Sequence, residues 1–356
     1  MSLRYRRLAA AVAALTLSAC GDGLGPGQEA FDPDQTTADF AAVDAAFATD
    51  AFVSLAALGG QFGVGAGAAT SASADLLRAA TDIRVSDLSL RLDAAARRLT
   101  AVMAANAAVE LIPAQYRGLV LVYVPGEGYL PDTNQTGPAD GIRFILYAVN
   151  PITKQIAEPL TEIGHVDLLD ESTDITASVR LVVVSGGVTF VNYTVTASGP
   201  PTAPSVVIDG FITNGTTAVN FTLTHALQVN IGGSQVDIDY VIDVPGRDFQ
   251  VNLDLTLVAN DQGTATTIDL SVTHGSNTVR IEGSLDDELG TLQVFGNGQL
   301  FATVTITATG VEAVNAGGEP LTQREVQALG EIFDVVEEVF DVFENLFDPV
   351  EFLFNV

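Results

Sequence analysis

Residues 249–257 read FQVNLDLTL, and this stretch decides the fold. Every second residue is apolar, and each residue between two apolar ones is polar. Successive side chains of a β-strand point to opposite faces, so the alternation places one face on a core and the other in water. The stretch therefore predicts a half-buried strand of an antiparallel sheet.

The same alternation recurs through residues 117 to 312, with short turns rich in glycine and asparagine between the runs. Most gaps are too short for a crossover helix, so sequential antiparallel hairpins are the economical topology. The sequence predicts a mainly β fold of roughly a dozen strands in one large meander sheet. Such a sheet would curl into a half-barrel, split into two layers or close. Further apolar sets with this spacing are Val219, Phe221, Leu223 and Leu227; Val236, Ile238, Tyr240 and Ile242; and Ile175, Ala177, Val179, Leu181 and Val183.

Helical patterns flank the predicted strands, with segments at about 36–58, 93–108 and 322–347. Thr36 and Asp39 have the spacing of a helix-capping box, and so do Thr322 and Glu325. The last segment is amphipathic, and the charges that flank its apolar repeat from Ile332 onward are all acidic. That pattern favours a helix that covers an apolar face of its own sheet over a self-paired coiled coil.

The first twenty residues form a separate unit. A basic head with Arg4, Arg6 and Arg7 precedes an apolar stretch from Leu8 to Leu17, which ends in Leu17-Ser18-Ala19-Cys20. A basic start, a short apolar run and small residues at a cleavage point are typical of an export signal. Cys20 is the only cysteine of the chain, so it has no disulfide partner within it.

The final tetrapeptide resembles the lipobox of bacterial lipoproteins. The resemblance implies cleavage between Ala19 and Cys20, a diacylglyceryl thioether on Cys20 and an acylated new N-terminus, with palmitate among the acyl chains. It also implies sorting to the outer membrane, because Gly21 rather than aspartate follows the cysteine. The expected organisation is a signal peptide over 1–19, a lipid-anchored flexible tether over 20–35, and a single β-rich domain over 36–356.

The composition limits the partners. The chain has 44 acidic and 15 basic residues and a formal net charge of −29, so nucleic acid and anionic headgroups would repel it. Apolar residues make up 47% of the chain, which predicts a packed core. The expected partner is therefore the membrane, through the anchor on Cys20, together with an envelope protein or an apolar ligand.

Residues that carry chemistry are sparse. The best metal candidate is the loop with Asp132, Asn134 and Thr136, which loosely follows a calcium-binding loop. Its twelfth position is Arg143, a cation where the metal needs its strongest ligand, so no metal site and no cofactor are expected. His225 follows the apolar spacing of its run and is expected to be a packed core histidine. No catalytic residue is predicted.

Three functions agree with these observations. The first is a non-enzymatic envelope lipoprotein with a structural or binding role. The second is a carrier of a lipid or another apolar ligand, which would lie between sheet and helix. The third is a hydrolase whose site the sequence does not reveal. The absence of a catalytic motif favours the first.

Overall fold

The chain folds around one large, open β-sheet. The computed structural model describes residues 33–61, 111–153, 155–200, 202–261, 263–287, 289–322, 325–326 and 329–330. Fifteen strands form a single sheet in the order β15 to β3 without interruption, followed by β1 and then β2. Every pairing is antiparallel except that between β1 and β3. The predicted antiparallel meander is confirmed, and its strands number fifteen rather than a dozen.

The strands are longest in the middle of the sheet, where β8 to β11 have twelve or thirteen residues each. Their bounds are β1 Val120–Val124, β2 Gly128–Pro131, β3 Gly141–Tyr147, β4 Glu162–Asp170, β5 Ala177–Ser185, β6 Val188–Ser198, β7 Ser205–Thr213, β8 Ala218–Asn230, β9 Gly233–Val244, β10 Phe249–Asn260, β11 Gly263–His274, β12 Asn277–Asp286, β13 Leu289–Gly296, β14 Gln299–Thr307 and β15 Gly310–Asn315.

The predicted alternation matches the burial of β10 closely. Phe249, Val251, Leu253 and Leu255 are each at most 2% exposed, and they face a core shared by nearly all the strands. We call this side of the sheet the inner face and the other side the outer face. The inner face is apolar from β3 through β14, which is the burial that favours folding of so wide a sheet.

Ile175 departs from the expected pattern. It lies outside β5 and is 76% exposed, although the sequence places it in one apolar set with Ala177 and Val179. The Oγ1 atom of Thr173 accepts hydrogen bonds from the backbone N–H groups of Ile175 and Thr176. This local turn delays the start of the alternation until Ala177, because side-chain acceptors of this kind compete with strand pairing.

Two helices occupy the region of the first predicted helical segment. Helix α1 spans Pro33–Phe47 and helix α2 spans Asp50–Gln61, with a bend of 58° between them. Thr49 explains the break, because its Oγ1 atom accepts a hydrogen bond from the N–H of Phe52 and so caps the start of α2. Helix α1 contacts β7 and β8, and α2 contacts β3 to β6, so the pair runs across the strands.

Several predicted segments lie outside the described residues: the signal over 1–19, Ala19 and Cys20, most of the 20–35 tether, the 93–108 helix and most of the 322–347 helix. The start of the last segment is described. The Glu325 carboxylate accepts hydrogen bonds from the N–H and the hydroxyl of Thr322, which is the expected capping box. Within the described ranges no single helix is long and apolar enough to span a membrane, although the bent α1–α2 pair passes that test by length and composition.

Candidate functional site

A buried carboxylate joins the first helix to one end of the sheet. Asp39 of α1 has no exposed side-chain surface. A buried charge needs polar or oppositely charged partners, because apolar neighbours do not stabilise it. Its partners are Arg247, in the single turn of 3-10 helix between β9 and β10, and His274, the last residue of β11. Asp39, Arg247 and His274 are called the Asp39 cluster below.

Strand register explains why the two partners meet. His274 lies directly opposite Phe249, and Phe249 lies directly opposite Val244 on the other neighbouring strand. The end of β9, the start of β10 and the end of β11 therefore share one end of the sheet. His274 also continues the spacing of the inner-face residues of β11, so its side chain lies on the side where α1 packs.

The distances in the cluster are those expected when neighbouring groups compensate the charge of the buried Asp39 carboxylate. The Nε group of Arg247 donates a hydrogen bond to Oδ1 of Asp39 over 2.6 Å. Nδ1 of His274 lies 2.7 Å from Oδ2, close enough for an ion pair when the imidazole is protonated. Both partner side chains are 31% exposed. One residue of the cluster is thus sealed from solvent, whereas its two partners remain in contact with water.

The expected capping role of Asp39 is wrong. Helix α1 begins at Pro33, six residues earlier, and the Asp39 carboxylate contacts the sheet instead of the helix start. A signal for this was present in the sequence. Asp39 lies next to Phe40 and four residues before Val43, on the apolar stripe of the helix. A charge on such a stripe indicates a buried ion pair, whose partner the stripe alone does not reveal.

The contacts of the Asp39 cluster fit a structural role, the attachment of α1 to the sheet, better than a catalytic one. A buried carboxylate is stable only while its partners compensate its lost hydration. In the described part of the chain, the structure gives His274 no hydrogen bond to a hydroxyl or thiol that it could activate as a nucleophile. We therefore assign the cluster a role in holding α1 on the sheet.

A histidine and two tyrosines are also buried on the inner face. His225 of β8 is fully buried, as expected from its spacing, and burial lowers its pKa to about 4, so the ring is neutral at pH 7. Tyr193 of β6 and Tyr240 of β9 are also fully buried, and burial raises the pKa of each phenol. Gly210 lies opposite Tyr193, and a Cβ atom there would overlap the backbone of Tyr193. These groups place a few polar atoms within an otherwise apolar surface.

The outer face carries a row of acidic residues in register. Asp239, Asp254, Asp269 and Glu282 lie directly opposite one another on β9 to β12. Arg280 contacts the last two and holds the pKa of Asp269 below its ordinary value through its hydrogen bonds. Among the described residues, no group of three or more His, Cys, Asp or Glu side chains is arranged to hold a metal ion.

The loop of the metal candidate is an ordinary hydrogen-bonded turn. Oδ1 of Asp132 accepts hydrogen bonds from the backbone N–H and the side-chain amide of Asn134, and Oδ2 accepts one from Gln135. The backbone hydrogen bond from Asn134 is the main cause of the lowered pKa of Asp132. Arg143, at the twelfth position, makes two hydrogen bonds with Asp167 on the neighbouring strand. Both carboxylate oxygens of Asp132 therefore accept hydrogen bonds from within the loop.

His165, the remaining histidine, lies in β4 with Nε2 3.9 Å from Oδ2 of Asp167. Burial, followed by the nearby charge of Arg143, lowers its pKa. The three histidines therefore lie in three separate surroundings, and the structure does not bring them together with a common partner.

Comparisons with protein-family models, with curated proteins and with solved structures found no match to this chain.

Proposed function

We propose that this chain is an exported lipoprotein that is held in the outer membrane by acyl chains on Cys20. The lipobox and the absence of a second cysteine support this proposal. One acyl chain gives only marginal binding to a bilayer, so the two or three chains of this lipoprotein class would supply a stable anchor. Helix α1 begins at Pro33, which leaves a short glycine-rich segment between anchor and body.

The body acts by binding rather than by catalysis. The observation that carries this part of the proposal is the difference between the two faces of one uninterrupted sheet. The inner face is buried and apolar, whereas the outer face presents polar side chains in register over many strands. An extended, acidic and regularly spaced surface fits a structural role or the binding of an envelope protein or surface polymer.

The anchor is tested in the producing cell. A Cys20→Ser variant, with a hydroxyl in place of the thiol, should no longer incorporate a labelled palmitate analogue and should move from the detergent phase to the aqueous phase on Triton X-114 partitioning. A Gly21→Asp variant is the matched control. It should keep its acyl label while it shifts from the outer-membrane to the inner-membrane fraction. Unchanged partitioning of the Cys20→Ser protein would contradict the proposal.

A carrier of a lipid or another apolar ligand is the second candidate. It is favoured by the continuous apolar inner face with two helices across it, and by the few buried polar groups on that face, His225 and Tyr240 among them. Mass spectrometry of lipids that co-purify with the mature protein tests it. A defined lipid in a fixed ratio to protein would support the carrier. A lipid profile identical to that of an unrelated lipoprotein purified in parallel would exclude it.

A further inference from the structure

Helix α1 and helix α2 both bury apolar side chains on the inner face, and α1 adds a buried ion pair. The described side chains of α2 include Phe52, Leu55 and Leu58, all at most 4% exposed. Helix α1 buries Phe40, Val43 and Phe47, but most of its other described positions are alanines that are exposed or half-exposed. Ionic contacts therefore contribute more to the attachment of α1 to the sheet, through the Asp39 cluster, than to the attachment of α2.

An ionic fastening of this kind gives little net stability. Removing a carboxylate from water is costly, and the attraction of its partners offsets that cost without greatly exceeding it. When α1 leaves the sheet, Asp39 regains its hydration, and Arg247 and His274 need little rearrangement because each is already 31% exposed. The free energy of opening is thus smaller than it would be for an apolar contact of the same size.

The surface beneath α1 is apolar. Helix α1 contacts β7 and β8, whose inner-face residues Ile212, Val219 and Phe221 are at most 3% exposed. At the end of the helix near the Asp39 cluster, the rings of Phe40 and Phe249 pack edge to face with centroids 5.1 Å apart. Departure of α1 would expose this part of the inner face, while the pairing of the strands stays intact.

We propose that α1 is a detachable lid over the inner face at β7–β10 and that the Asp39 cluster is its latch. The lid opens while α2 and the sheet keep their places. When the lid is open, an apolar molecule can reach the inner face. When the lid is closed, α1 covers this part of the face. The opening of the lid does not depend on the lipid anchor or on the identity of a ligand, although a carrier function would make use of it.

Hydrogen–deuterium exchange of the full-length protein in detergent tests the lid. In the wild type, the amides of residues 38–47 should exchange faster than those of residues 50–58 and of β10. Asp39→Asn removes the charge that the latch needs and should raise exchange in 38–47 by about tenfold or more, with β10 unchanged. Asp44→Asn is the matched control, because it makes the same chemical change at an exposed position of the same helix.

The same three residues also provide a locked variant. Asp39→Leu, Arg247→Met and His274→Leu together replace the ionic contact with apolar side chains of similar size, a change that is often neutral or stabilising. In this variant, exchange in 38–47 should slow to the rate of 50–58. If Asp39→Asn fails to fold, Arg247→Gln serves as the open variant. The lid proposal would be overturned if the amides of α1, α2 and β10 exchange at equal rates in the wild type and if all three rates rise together in the open variant.

The lid and the proposed functions fail in different ways. Loss of acylation or of co-purifying lipid would leave selective exchange of residues 38–47 untouched. Conversely, a lipid found in the mature protein, together with uniform exchange in the wild type and the open variant, would keep the carrier and overturn the lid.

Discussion

Two aspartate–arginine pairs, one on each face of the sheet, show how differently the same chemistry acts in the two settings. On the inner side, Asp39 is sealed from water and bound to Arg247. On the outer side, Asp269 and Arg280 form a doubly hydrogen-bonded pair with 37% and 48% of their side chains exposed. The outer pair has the better-formed contact, but the inner pair has more effect on stability, because water does not reach Asp39 while α1 lies on the sheet.

The largest expected effect comes from removing the arginine of each pair. Arg247→Ala removes a charged partner of the sealed Asp39 carboxylate. The free energy of unfolding should fall by about 3–5 kcal/mol, or by the free energy of opening α1 where that is smaller. Arg280→Ala removes a partly exposed partner and should cost about 0–1 kcal/mol. Urea denaturation at pH 7 measures both. Equal losses would contradict the assignment of the inner pair as the one that matters.

The second effect compares apolar and polar residues of one strand. Leu253 of β10 is 1% exposed and lies between Tyr240 and Leu270 on the neighbouring strands. Leu253→Ala leaves a cavity on the inner face and should cost about 2–5 kcal/mol. Asn252→Ala is the control on the outer face, with an expected change within about 0.5 kcal/mol. A small loss for Leu253→Ala would mean that the inner face is not tightly packed.

Burial of a histidine on the inner face predicts that the stability of the protein depends on pH. The pKa of His225 is about 4 in the folded protein, against 6.5 for a free histidine. Between these pH values the unfolded chain therefore binds more protons than the folded protein. The contribution of His225 to the free energy of unfolding is fully present above about pH 6.5 and decreases as the pH falls toward 4. At 1.4 kcal/mol for each pKa unit, the loss approaches roughly 3 kcal/mol.

Denaturation curves at several pH values, with His225→Leu beside the wild type, check this expectation. The variant should lose much of the slope between pH 4 and 6.5. His165→Gln accounts for the smaller contribution of His165, whose pKa is lowered by burial and then by Arg143. A slope that is the same in the wild type and in His225→Leu would show that other groups dominate.

The smallest effect concerns like charges on the outer face. Asp239 and Asp254 lie directly opposite each other; burial, followed by the charge of Asp254, raises the pKa of Asp239. Asp254→Asn removes this repulsion and should stabilise the protein by about 0.2–1 kcal/mol at pH 7. Asp209→Asn is the control, because Asp209 faces Thr194 and Thr222 rather than a carboxylate. Destabilisation by Asp254→Asn would contradict the repulsion, and so would an equal gain from both variants.

Much of the sheet could be predicted from the sequence, because strand alternation and turn residues act locally. The spacing of residues 249–257 correctly separated the two faces of β10, and the spacing of His225 correctly placed it in the core. Ile175 was misplaced because a turn centred on Thr173 overrides the alternation there. Local signals therefore give the pairing of neighbours but not every strand end.

The candidate site could not be predicted in the same way. Asp39 and Arg247 are separated by 208 positions, and nothing near either residue identifies the other. The Thr36–Asp39 spacing even favoured a different and wrong role for the carboxylate. Contacts of this range result from how the two helices cross the strands, which no local pattern specifies. The same holds for the in-register carboxylates of β9 to β12, which are evident only when the pairing of the strands is known.

The order of the strands bears on how the protein assembles. From β4 to β14 each strand pairs with the strands just before and just after it in the chain. Hairpins can therefore form one after another as the chain is synthesised, and each completed strand becomes the template for the next. The attachment of α1 to β10 and β11 is different, because this helix precedes all fifteen strands and its partners follow more than 200 residues later. Among the described elements, the one that is made first is thus among the last to reach its final position.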